Sequence, residues 1–194
     1  MNMHQRLLAL VAGVCLMAGS LLANGTIAND AYAADWDEVR RKIDEIPAKT
    51  PENERLKIVD ELNEHDATAL MWAAAYGNME MVKYLIGLNA DVNAVDKFGN
   101  TPLTRAAESG DVEIMKFLVG HRAELWAYAS LALEGAIRSH KPAAVTFLLG
   151  EQNVVPTKEH LQLAKKHVAI VDKKEKKNAQ EIVKILKKKM GKWL

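Results

Sequence analysis

The chain has 194 residues, 49% of them hydrophobic and 26% charged, with a formal net charge of +1. Those fractions exclude a collagen-like, disulfide-dense or wholly disordered chain and point to one domain, or at most two small ones. The small net charge hides a gradient: residues 35–64 carry 10 acids against 6 bases, residues 65–155 carry 10 against 7, and residues 156–194 carry 12 lysines against 4 acids.

In chain order, the first element reads as a leader. Leu7 to Ala23 is a 17-residue apolar run interrupted only by Ser20 and two glycines, preceded by Arg6 and followed by Ala31-Tyr32-Ala33. A charged start, an apolar middle and an A-x-A triplet are the layout of a secretory signal peptide. The run is marginal for a spanning helix, which needs about 20 apolar residues. The expectation is export, to a bacterial periplasm, with residues 1–33 removed by cleavage after Ala33. The only cysteine, Cys15, falls in that leader, so the remaining chain would hold no disulfide, no thiol nucleophile and no cysteine metal ligand.

Next, Trp36–Ile46 and Glu52–Leu62 read as two helices broken by Pro47 and Pro51, an N-terminal helical cap over residues 34–63. An internal repeat follows. Thr68-Ala69-Leu70-Met71-Trp72-Ala73-Ala74-Ala75-Tyr76-Gly77 recurs, 33 residues later, as Thr101-Pro102-Leu103-Thr104-Arg105-Ala106-Ala107-Glu108-Ser109-Gly110. The segments Met81–Ile86 and Ile114–Val119 align at the same offset. A fixed period of this size is the signature of a stacked repeat. Each copy predicts a first helix with Thr as N-cap, Pro102 suited to the first helical turn, small alanines for close packing, a glycine to end the helix, and a second amphipathic helix. Asp96–Gly99 reads as a turn tip standing out from the helices.

The pattern Asp96, Gly99, Thr101, Pro102, Leu103, Ala106, Ala107, Gly110, with Ala90-Asp91-Val92-Asn93-Ala94 before it, resembles the ankyrin repeat family. Asn89 stands where that family usually has Gly, and Met71 and Thr104 where it has His. The resemblance implies an all-α solenoid of stacked helix-turn-helix units with β-turn tips. Its repeats would cover 64–155: 64–95, 96–122 and a degenerate copy at 123–150, recognised because Ala136–Gly150 matches the second copy at an offset of 30. Leu125 to Ser130 reads as an irregular connector that has lost the turn. Lys158–Val168 and Asn178–Met190 then predict a lysine-rich C-terminal cap over 156–194, with Lys173–Lys177 in a solvated loop.

Chemistry is sparse. None of the H-E-x-x-H, phosphate-loop or G-x-S-x-G patterns occurs, and Ser139 and His140, adjacent on a helix, point about 100° apart. His160 and His167 would lie about 10 Å apart along one helix, too far to share a metal, and read as surface residues. The sequence therefore predicts no enzyme, no catalytic residues, no cofactor and no metal. The resemblance implies protein binding through tips and first helices lining a concave face, which assigns Trp72, Tyr76, Lys97, Phe98, Asn100, Arg105 and Glu108 to contact, with Trp126 and Tyr128 beside them. Phe98 is the sharpest of these, an aromatic in a polar turn. The expected partner is a protein, bound by a monomer; nucleic acid is not expected, nor is contact with a membrane surface. The sharper expectation is a dedicated binder that shields, inhibits or stabilises one envelope enzyme. The rival reading is an envelope-associating structural protein that holds an anionic surface through the basic patch Lys184, Lys187, Lys188 and Lys189.

Overall fold

The computed structural model describes residues 26–150, 152 and 154–191, and only the backbone of residues 125–127. Within these, eleven helices follow one another: α1 Ile27–Tyr32, α2 Trp36–Asp44, α3 Glu52–Val59, α4 Ala69–Ala75, α5 Met79–Gly87, α6 Pro102–Ser109, α7 Val112–Gly120, α8 Leu125–Arg138, α9 Pro142–Gly150, α10 Lys158–Ile170 and α11 Lys173–Met190. Among the described residues there is no strand.

Helix boundaries follow from local chemistry. The hydroxyls of Thr26, Thr68, Thr101 and Thr157 cap α1, α4, α6 and α10 by accepting a backbone N–H three residues on. Asn78 and Asp111 do the same for α5 and α7. Thr104, in the position the related repeats give to His, completes a capping box: its hydroxyl accepts from Thr101 N at 2.8 Å while Thr101 Oγ1 accepts from Thr104 N at 3.3 Å. Gly110 ends α6 at φ +82°, a conformation that favours glycine, and a Cβ there would lie 2.6 Å from the Lys141 side chain, which would have to swing aside.

The first helices pack side by side as a row, α1–α4–α6–α8–α10, and the second helices lie behind them. The row is tight because its facing residues are small: Ala73, Ala74, Ala106 and Ala107 are fully buried. The left-handed residues Ala34, Gly77, Gly110 and His140 mark the same turn in four successive units. Counting eight residues on from each gives Lys42, Leu85, Leu118 and Leu148, all buried. Three units place leucine in the core at that point; the first places a lysine, whose Nζ lies 2.6 Å from Asp30 Oδ2 on α1.

Several expectations change. Residues 26–33, assigned to the leader, belong to the stack. Ile27, Ala28 and Ala31 are at most 1% exposed, and α1 packs on both α2 and α4. Thus α2 pairs with α1 rather than with α3, and the first unit starts at Thr26, not Ala34. Residues 1–25 lie outside the described residues. Leu125–Ser130 is not an irregular connector but the opening of α8: Leu-Trp-Ala-Tyr-Ala-Ser contains no helix breaker, so the missing turn is replaced by helix. Lys173–Lys177 likewise start α11, because the Asp172 carboxylate caps them through Lys174 N and Glu175 N. His160 is 3% exposed, not a surface residue; its ring nitrogens bond the Thr157 cap and Ser130.

Candidate interaction face

The tip at Asp96–Gly99 is built on a buried carboxylate. Asp96, 4% exposed, accepts from the backbone of Phe98 (2.9 Å) and Asn100 (2.8 Å), from Asn100 Nδ2 (2.9 Å) and from Arg105 Nη2 (2.6 Å). Burial works against its ionised form, but the hydrogen bonds from Asn100, Arg105 and Phe98 outweigh it and hold the Asp96 carboxyl below the ordinary carboxylate range. Gly99, at φ +82°, turns the chain. The result is a fixed turn that carries Phe98 outward, 66% exposed. Lys97 lies beside it, its ammonium 5.2 Å from the Phe98 ring centre and bonded to His65 Nδ1 (2.9 Å) and Glu64 O (3.2 Å) of the preceding turn.

On the first helices, Trp72 and Arg105 occupy equivalent points of successive units. The guanidinium of Arg105 lies 5.7 Å from the Trp72 ring centre and is braced by Asp96 and by Glu108 Oε2 at 3.0 Å. Tyr76 is 51% exposed, its ring 6.2 Å from that of Trp72, and its hydroxyl donates to Tyr32 O at 2.8 Å. Two further aromatics, absent from the sequence-based set, complete the patch. Tyr32 of α1 lies against Trp72 at 4.7 Å and Trp36 of α2 against Tyr76 at 6.0 Å. Tyr32 stands inside the A-x-A triplet, where it reads as part of the leader; the pair Tyr32 and Trp36 has the same four-residue spacing as Trp72 and Tyr76, a signal that only the α1–α2 turn makes useful.

The expected contact set therefore divides. Phe98, Lys97 and Tyr76 are presented to solvent; Trp72, Arg105 and Glu108 are half-buried and support them. Glu108 has a packing role as well: a Cβ on Gly135 of α8 would fall 2.8 Å from its Cγ, so the two helices meet there. Asn100, expected as a contact, is 8% exposed and its side-chain amide donates to Asp96, so it shapes the tip from within. Tyr128 is half-buried on α8, and the Trp126 side chain lies outside the described residues. In the basic patch, Lys184, Lys187 and Lys188 are exposed on α11. Lys189 is not free: its ammonium donates to Leu149 O at the end of α9.

Helix-turn-helix units that touch only their neighbours, closed by atypical units at each end, define a repeat solenoid. The projecting turn and the T-P-L helix start narrow the class further. The family described as Ankyrin repeats (3 copies) matches residues 50–129 and again 70–160, more than half of the chain. The chain belongs to the ankyrin repeat family, whose repeats commonly mediate protein–protein interaction and are typically non-enzymatic. Among curated proteins, none matches it.

Proposed function

We propose that this protein is an exported, non-enzymatic binding module that engages one protein partner of the cell envelope through the Asp96–Gly99 tip and the aromatic patch of the first helices, shielding or inhibiting that partner. The observation that carries the reading is Phe98. A fixed turn holds a large apolar ring in solvent, at an energetic loss that only burial against something else recovers. Aromatic and arginine side chains dominate binding at such faces, with central members costing about 2 kcal/mol or more on truncation. Tyr32, Trp36, Trp72, Tyr76 and Arg105 supply that composition next to the tip.

The test separates binding from folding. Because Phe98 touches little of its own chain, Phe98→Ala leaves the melting temperature unchanged. Capture of partners from envelope extract with tagged protein should yield one species with the wild type and lose it with this variant at every salt concentration. Capture that survives Phe98→Ala refutes the tip as the contact.

A second reading rests on Lys184, Lys187 and Lys188, exposed together on α11 beside other exposed lysines: the basic helix holds an anionic surface and the repeats give shape. It predicts loss of binding on charge reversal at Lys187 and Lys188 and in about 0.5 M salt, where the screening length falls to a few Å.

A further inference from the structure

The unit formed by α1 and α2 has the design of the units after it. Thr26 caps α1 with Oγ1 accepting from Asn29 N at 3.0 Å, as Thr68 and Thr101 cap α4 and α6. Ala34 takes φ +59° where the later units have Gly77, Gly110 and His140. Asp35 caps α2 at Glu38 N, where Asn78 and Asp111 cap their helices. The repeat thus begins at Thr26, and residues 26–33 are its first helix and turn.

These eight residues hold the end of the stack together. Ile27, Ala28 and Ala31 are buried; the Asp30 carboxylate meets the buried Lys42 at 2.6 Å; Tyr32 covers Trp72 with its ring and accepts the Tyr76 hydroxyl with its carbonyl. A leader cut after Ala33 would discard all of this and uncover the face of α4 that α1 packs on. The A-x-A triplet that marks that cut has a place in the packing: Ala31 is fully buried where α1 packs on α4, and Ala33 caps the end of the helix.

Upstream, starting at Ala23, the last residue of the apolar run, and ending just before Thr26, the sequence has a second small-x-small triplet, Ala23-Asn24-Gly25. We propose that the leader is removed at the Gly25–Thr26 bond. This rests on the reading that the protein is exported. A leader peptidase that takes small residues at the last and third-last leader positions would hydrolyse the bond: water adds across it, the Gly25 carbonyl leaves as carboxylate, and the nitrogen becomes the amino group of Thr26. The exported chain then starts on the N-cap of its first repeat with the whole repeat intact, and the A-Y-A triplet goes unused.

The experiment expresses the full chain, with its own leader, in a bacterium that has a periplasm, and reads the N-terminus of the periplasmic product by Edman sequencing and intact mass. Threonine 26 is the expected first residue. Gly25→Leu should abolish that product and leave precursor, while Ala33→Leu should change nothing. A product starting at Ala34, with Ala33→Leu now blocking its formation, overturns the cleavage site and leaves export standing. Unprocessed chain confined to the cytoplasm, while a control exported protein is processed, overturns export and the cleavage site together.

Discussion

At the first end of the stack, α1 and α2 close the core with a buried ion pair, Lys42 with Asp30, placed where later units have leucine. At the last end, α10 and α11 close it with imidazoles at the turn: His140 Nε2 lies 3.0 Å from His167 Nδ1, and His140 Nδ1 lies 3.0 Å from Glu175 Oε2. Lys42 is 1% exposed and Asp30 belongs to a six-residue helix, so the first end depends on a charge matched across a short element. At the last end Glu175 is half in solvent, and water shares in satisfying the groups. A polar group in the core decides whether an end stays closed; one at the rim tunes how firmly.

The sharpest way to break this contrast is Asp30→Ala. Removing one partner of a buried ion pair typically costs about 3–5 kcal/mol. Lys42 keeps Glu38 Oε1 at 4.0 Å, so the loss should fall at the low end of that range. The first unit should loosen, read as a lowered urea midpoint and a change in tryptophan fluorescence. Because Leu85, Leu118 and Leu148 fill the matching place, Lys42→Leu combined with Asp30→Ala should recover most of the loss. A single variant within about 0.5 kcal/mol of wild type would show that the ion pair does not close the core.

At the other end the test is pH. With the Glu175 carboxylate accepting from His140 Nδ1–H, His140 Nε2 is left to accept from His167 Nδ1–H. Burial, then the neighbouring His140, Arg138 and Lys166, hold the His167 imidazole below its ordinary value. A base whose folded pKa is depressed adds stability above its unfolded pKa and loses it as pH falls. Stability should therefore decline from pH 7.5 toward pH 5 more steeply in the wild type than in His167→Gln. Each hydrogen bond is worth about 1 kcal/mol, so the difference is smaller than that from Asp30→Ala. His140→Gly removes the ring while suiting the φ of +54°; equal pH profiles for all three proteins would show that the imidazoles do not tune this end.

The two ends were also unequally legible. Units two and three declare themselves, since their capping threonines, paired alanines and helix-ending glycines, and Pro102 in the third, each have a local physical cause that needs no tertiary context. So does Phe98, whose exposure follows from the polar turn around it. The first unit is hidden because Ile27–Tyr32 follows closely on an apolar run, and a small buried helix has the composition expected of a cleavage region. Its left-handed residue is Ala34 rather than glycine, so the usual helix-end signal is missing too. Asn100 looked free because turn residues usually are; only the buried Asp96 shows why it turns inward. His140 lies 30 residues after Gly110, the offset of the third copy, and takes the same left-handed turn, but its bonds to His167 and Glu175 join three elements and no spacing along the chain announces them.

The same gap between adjacency and role appears within one run of lysines, and there the effects are smallest. Lys187, Lys188 and Lys189 are neighbours in sequence, yet only Lys189 reaches the end of α9, where its ammonium serves the Leu149 carbonyl. A cation at a helix C-terminus contributes about 0.3–1 kcal/mol, so Lys189→Ala should lower the unfolding free energy measured in urea by that amount, whereas Lys188→Ala, on the exposed side of α11, should leave it unchanged. Binding to an anionic surface would reverse the order, with Lys188→Ala weakening it and Lys189→Ala leaving it nearly unchanged. Vesicles containing anionic lipid, titrated with both variants beside the wild type, separate a lysine that holds the fold from one that faces outward.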